Sequence, residues 1–314
     1  MASSTPRSDT VRATAGPVAA AAVPRRSPSA LQVFVRLHRL AALGAVLVIG
    51  FTLTGIFAPV LAPSDPNLID VNNTLQRPTP GRWLGTDNQG RDLLSRVIYG
   101  ARMSLLISLL SVGFGAVVGI FFGTIAAYYE RLDASIMRLN EVLLAFPGIV
   151  VALTIVTILG RGLENVVVAI AIVQVPQYVR LAHGLTLSVK ERVFVEAAVA
   201  QGASDRSILM RHIVPNMLAP LIVQTSLLIP GAIMTAATLS FLGLGVQPPT
   251  AEWGAMLQNS LQWARLAPHV MIIPGFALML VVFGFNVLGD GLRDALDPRL
   301  RRMSGAGSSS GAAV

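Results

Sequence analysis

The sequence predicts an all-α integral membrane protein, a bundle of six transmembrane helices carrying one water-compatible helical loop. Three observations lead there. Of the 314 residues, 53% are hydrophobic and only 13% charged, against roughly 25% charged in a soluble domain, and mean hydropathy is +0.65. Six apolar runs of membrane-spanning length recur along the chain. One of the polar separators, residues 188–216, is patterned as folded structure rather than as a linker.

Residues 1–35 are rich in Ala, Ser, Pro and Arg without apolar periodicity, which predicts a disordered tail. The membrane domain then occupies 36–302, its core about 100–295, and 303–314 form a second tail. The run at 40–62 exceeds the ~7–15 apolar residues of a signal peptide, so it reads as a retained first span. Further spans are predicted near 104–128, 142–159, 165–181, 218–244 and 270–288. Interior breakers recur at Pro147-Gly148, Pro176, Pro230-Gly231 and Pro274. Such breaks survive in a membrane where packed helices or a water-lined cavity satisfy the freed backbone, so together they suggest helices around a pathway. Gly113, Gly115, Gly119 and Gly123 permit close helix contact along the second span, within the bundle or with a partner.

Six spans put both termini on one side. With the N-terminus inside, seventeen Lys and Arg fall inside and seven outside, which orients both termini and the 188–216 loop to the cytoplasm of a cell-membrane protein. Five arginines between 77 and 102 run against the count, partly matched by Asp65, Asp70, Asp87 and Asp92. Asp87, Asn88, Gly90 and Asp92 invite a calcium loop, but an EF-hand needs Gly sixth and Glu twelfth, where this chain has Asp92 and Ile98. The segment reads instead as a turn followed by a helix start. Trp253, Met256, Leu257 and Ala264 share a face of a short outer helix, with Trp253 and Trp263 read as an aromatic belt as readily as a substrate contact.

In the 188–216 loop, Ser188 and Glu191 fit a capping box. A helix then runs through Glu196, Ala197 and Ala198 to a left-handed stop at Gly202. Ser204 caps a second helix with Asp205 in its first turn; Arg206, Arg211 and His212 follow, and Pro215 ends it. The small residues Ala197, Ala198, Ala200 and Gly202 make this elbow a docking surface; its bland alternative is a solvated helix pair joining two spans.

Glu196-Ala-Ala-x3-Gly202 followed by Arg211-His-Ile-Val-Pro-Asn216 resembles the cytoplasmic EAA loop of ABC importer permeases. Gly85-Thr-Asp-x-x-Gly-Arg-Asp92, the Phe241–Pro249 run FLGLGVQPP and the close GDGLRDALDPR narrow the resemblance to permeases for dipeptides, oligopeptides or nickel complexes, and the long segment after the first span resembles their C-type member. The resemblance covers about 40–302; Phe194-Val195 stands where Tyr-Val is common, and Asn140-Glu141 where an Asp often sits. It implies alternating access in half of an unlike pair with a B-type permease. An extracytoplasmic binding protein would deliver peptide, and two ATPase subunits would bind ATP and magnesium, this chain holding no cofactor of its own. Glu196, Ala197, Ala198, Gly202, Asp205, Arg206, Arg211, His212 and Pro215 are the implied coupling residues.

Two other classes of protein fit the residues less well. An ion-coupled transporter or channel places charged relays inside its spans, whereas Glu141, Arg180, His183 and Asp290 fall near span ends. A membrane enzyme needs converging catalytic or metal-binding groups, and His38, His183, His212 and His269 are scattered without metal-ligand spacing. No Walker sequence is present and Lys190 is the only lysine, so the chain does not itself hydrolyse ATP.

Overall fold

The computed structural model describes residues 39–296; the predicted tails 1–35 and 303–314, and the end of the GDGLRDALDPR close, lie outside them. Within this range there are helices and turns and no named strand, as the apolar periodicity requires. The main helices are α1 (Arg39–Ile56), α2 (Leu93–Tyr128), α3 (Glu130–Ala145), α4 (Gly148–Leu159), α5 (Leu163–Lys190), α6 (Val193–Ala200), α7 (Asp205–Phe241), α8 (Trp253–Ser260) and α9 (His269–Leu296).

Four helices, α2, α5, α7 and α9, are long and apolar enough to cross a membrane. The predicted span at 142–159, with its breaker at Pro147-Gly148, is a bent pair: α3 and α4 meet at an angle of 93° where Phe146 takes extended backbone before Pro147. Proline removes the N–H that would continue α3, so the chain turns there. The predicted first span at 40–62 stops at Ile56, and Ala58–Leu61 is a separate turn of helix. The α1 helix, about 27 Å long at ~1.5 Å per residue, is the shorter apolar element. A count of six therefore takes the bent pair and α1 as one crossing each.

The broadest contact in the bundle is α2 against α5. Gly115, Gly119 and Gly123 form its seam, since a Cβ there would overlap Gln174, Tyr178 and Val179 of α5. Absence of side chains on every fourth residue lets the two backbones close, the small-xxx-small device of membrane helices. Gly113, by contrast, faces open space. The α1 helix packs on α9, and α7 on α9 and α2.

One end of the bundle is covered by residues 63–92 and 242–268. Asp92 caps α2 through the Ser95 backbone N–H, which donates to its carboxylate at 2.8 Å, and the Ser95 hydroxyl donates to the same oxygen at 2.7 Å. The predicted turn and helix start are both present. The Asp87 carboxylate accepts from the backbone N–H of Gln89 and Arg91 and pairs with the guanidinium groups of Arg91 (2.7 Å) and Arg96 (3.4 Å). Those arginines neutralise the acid that suggested a cation site. Arg82 pairs with Asp70, whose carboxyl is lowered by the Asn73 hydrogen bond first and Arg82 second.

Trp253 corrects the belt reading. Its ring is fully buried, its indole N–H donates to the Val97 carbonyl at 3.1 Å, and Phe51 meets it edge-on at 5.8 Å. It anchors α8 to α2. Beside it Glu252 caps α8, accepting from the N–H groups of Gly254 and Ala255 at 2.9 Å each and from the Ser104 hydroxyl at 3.3 Å.

Candidate coupling elbow and pathway face

The elbow lies between the end of α5 and the long α7, and its construction differs from the predicted one in three places. Ser188 and Glu191 form no capping box, because α5 continues through Ser188 to Lys190 and Glu191 is its C-cap. The new helix, α6, starts at Val193 after Arg192, its inner face held by buried Val195 and Ala198. At its end Gly202 is left-handed (φ 76°), as predicted. The N–H groups of Gly202 and Ala203 donate to the Val199 and Ala198 carbonyls, closing a Schellman stop.

Ser204 occupies the N-cap position of α7 with extended backbone but makes no side-chain cap. Pro215 does not end that helix. A π-helical turn spans Ile208–Ile213, and the chain continues through Pro215 to Phe241. The widened turn accommodates a ring that would clash with a regular helical turn. Asn216 then donates its side-chain amide to the His212 carbonyl at 2.7 Å, satisfying an acceptor beside the missing proline N–H.

Glu196, Ala197, Gly202, Asp205, Arg206, Arg211 and Pro215 are exposed on the elbow, and His212 is half-buried with its ring 6.4 Å from Phe194. Ala198 belongs to the inner face and is withdrawn from the docking surface. Val193, Phe194, Val199 and Met210 are exposed there instead. The outer face is thus apolar and rimmed by charge, and an added Cβ at Gly202 meets nothing in this chain.

Several residues of this site were not singled out by the sequence. The hydroxyls of Tyr128 and Tyr129 donate to the two Asp205 carboxylate oxygens at 2.9 and 3.1 Å. Burial and then the Asp205 hydrogen bond push the Tyr129 phenol up. Lys190 donates to the Tyr128 carbonyl and lies 5.6 Å from its ring centre. This clasp ties the α2–α3 junction to the start of α7. A nearby pair joins His183 of α5 to Asp133 of α3 at 2.9 Å. The adjacent Tyr128-Tyr129 pair was visible in the sequence; its carboxylate partner, more than seventy positions away, was not.

Along the bundle, α3, α5 and α7 bound a cavity of about 460 Å³ lined by Leu144, Pro176, Gln177, Arg180, Leu181 and Gln224, among others. Of the predicted breakers Pro176, within α5, lines this cavity, whereas Pro147-Gly148, Pro230-Gly231 and Pro274 do not. Arg180, expected near a span end, is followed by ten further residues of α5.

A helical bundle with a concave, largely apolar face carrying Gln177, Arg180 and Gln224, and an exposed elbow between two long spans, is the architecture of a membrane permease. Residues 119–302 match the family described as binding-protein-dependent transport system inner membrane component, and 30–78 match the N-terminal membrane domain of oligopeptide transport permease C. The dipeptide transport system permease protein DppC of Alkalihalophilus pseudofirmus is 46% identical over 265 residues, 84% of this chain and 87% of that protein. The glutathione transport system permease protein GsiD of Escherichia coli O6:K15:H31 is 45% identical over 268 residues, 85% and 88% of the two chains. A subunit of the inward-facing MetNI methionine ABC transporter shares the fold at a TM-score of 0.53 and 18% identity, covering 65% of this chain and 98% of that one. The chain belongs to the binding-protein-dependent inner membrane component family, as an ABC importer permease subunit of the dipeptide and oligopeptide class.

Proposed function

We propose that this chain is the C-type half of an ATP-driven peptide importer, coupled to an ATPase subunit through the α6–Gly202–α7 elbow. The observation that carries the reading is the elbow itself: an apolar outer face on Val193, Phe194 and Val199, rimmed by Glu196, Arg206 and Arg211, at the junction of two long helices. Such a patch is a protein-docking surface by composition. The clasp on Asp205 gives it a rigid path into α2 and α3, so a push on the elbow moves the bundle rather than a loose loop. Peptide as substrate follows the similarity to a dipeptide and a glutathione permease. Both termini and the elbow lie on the cytoplasmic side, in keeping with the Lys and Arg count. Three of the five outer arginines, Arg82, Arg91 and Arg96, are already neutralised by Asp70 and Asp87, which weakens the part of the count that runs against this orientation.

One elbow engages one ATPase subunit, and a closed ATPase pair requires a second permease of unlike sequence presenting its own. An extracytoplasmic binding protein supplies the peptide to the opposite mouth. ATP and magnesium are held by the ATPase partners. In proteoliposomes holding this chain, two ATPase subunits and the binding protein, ATP-driven peptide accumulation should appear only when the second permease is included. Robust uptake without it would show a working homodimer and remove the unlike-pair reading.

A further inference from the structure

We propose that Arg180 is a carboxylate-binding residue of the translocation pathway, receiving the C-terminal carboxylate of the passing peptide. The inference rests on the peptide-importer reading and adds to it a site and a recognised group.

The argument begins with depth. Arg161 and its flanking glycines precede α5, so Leu163 marks its outer end. Arg180 is then about 25 Å along the axis at ~1.5 Å per residue, short of the ~30 Å hydrocarbon thickness. A guanidinium that near the inner boundary snorkels to water or is met by a partner or a ligand. Among the described residues no carboxylate pairs with Arg180, whereas the neighbouring His183 has Asp133. What Arg180 does face is an open concavity of about 460 Å³ on the surface of the bundle, where it and Gln177 are exposed, in the size range of small-ligand sites, ~300–1,000 Å³.

The lining suits a peptide of unspecified sequence. Gln177 lies less than a turn from Arg180 on α5, and Gln224 faces it from α7. Together they offer a bidentate guanidinium and two amides, the donor set for a carboxylate. The remaining walls include Leu144, Pro176, Leu181 and Leu185, apolar and without fixed polar demands. Every unmodified peptide carries one terminal carboxylate whatever its side chains. A single cation on an open, largely apolar concave face therefore holds the invariant group and leaves side chains unread, as a broad-range importer needs.

The absence of native cysteine allows a direct test. A Gln177→Cys chain is assembled with its partner permease and ATPase subunits, and its modification is followed with sulfonatoethyl and trimethylammonioethyl methanethiosulfonate. The anionic reagent should be favoured over the cationic one, and Arg180→Gln should lower that ratio several-fold while Arg180→Lys retains it. Millimolar dialanine should slow the anionic reagent and dialanine amide should not. This second comparison leaves Arg180 in place, so it stands even if the Arg180 variants fail to assemble. A ratio unmoved by Arg180→Gln, or equal protection by acid and amide or by neither, would overturn the proposal. Loss of the anionic preference on adding phosphatidylglycerol, with dialanine inert, would assign the site to a lipid phosphate and overturn it too. Should the complex show no ATP-driven peptide uptake, the function reading fails, while the reagent ratio still reports whether Arg180 governs the cavity.

Discussion

Replacing Glu252 by alanine tests how the covered end of the bundle is held. Its carboxyl is fully buried and accepts two backbone N–H groups at the start of α8 together with the Ser104 hydroxyl. Alanine removes a helix cap, about 0.5–2 kcal/mol, and leaves two buried donors without an acceptor, about 1–3 kcal/mol where the penalty is felt in full. It also deletes a group whose burial is itself unfavourable when ionised. We expect a net loss of about 2 kcal/mol, read as a drop of several degrees in the melting temperature of the solubilised chain. Glutamine keeps one acceptor and cannot ionise, so Glu252→Gln should stay within about 1 kcal/mol of wild type at neutral pH. The sign of the pH effect follows from burial, which raises the Glu252 pKa against the opposing hydrogen bonds of Gly254 and Ala255. A raised folded pKa favours the protonated form, so its contribution is full below the unfolded value of ~4.3 and is lost as pH rises through the folded pKa. Wild type should therefore lose stability relative to Glu252→Gln as pH climbs. Equal melting of Glu252→Ala and wild type, or a wild-type-to-glutamine gap that ignores pH, would refute the reasoning.

Gly202→Val should insert normally, cost about 1–2 kcal/mol for a β-branched residue at φ 76°, and abolish ATP-driven uptake. Gly202→Asn, which tolerates the left-handed region, should abolish it as well if bulk rather than strain is at fault, and normal uptake by both would refute the close approach. Trp253→Ala should cost about 3–5 kcal/mol and release α8 from α2, measured by melting and by proteolysis at 253–260; an unchanged profile would contradict its anchoring role. Single cysteines at Ser204 and Asn88 should react with an impermeant thiol reagent from opposite faces of the membrane, and labelling of both from one face would overturn the proposed orientation.

Much of this fold is legible because apolar composition and helical spacing are local properties. The long spans, the left-handed stop at Gly202 and the Asp92 helix start all follow from residues within a turn of one another. Errors arose where tertiary context decides between equally local choices. Ser188-x-x-Glu191 fits a capping box, yet the α5–α2 packing carries the span through it. Pro215 fits a helix stop, but a π turn and the Asn216 side chain absorb it. Trp253 fits a membrane belt until Gly100, on another helix, leaves room for its ring. Ala198 cannot be told from Ala197 by composition; only the docked helix shows which faces inward. The Tyr128–Tyr129–Asp205 clasp and the Arg180 cavity join elements far apart in the chain, a relation no single stretch records.

The central claim, that the outer face of α6 meets an ATPase subunit, is tested most directly by cross-linking from neighbouring positions of opposite exposure. In the assembled transporter, cysteine at exposed Ala197, tethered to a short thiol-reactive photo-cross-linker, should capture the ATPase subunit, and the same probe at buried Ala198 should not. Capture from both positions alike, or none from Ala197 in a complex that still transports, would contradict it.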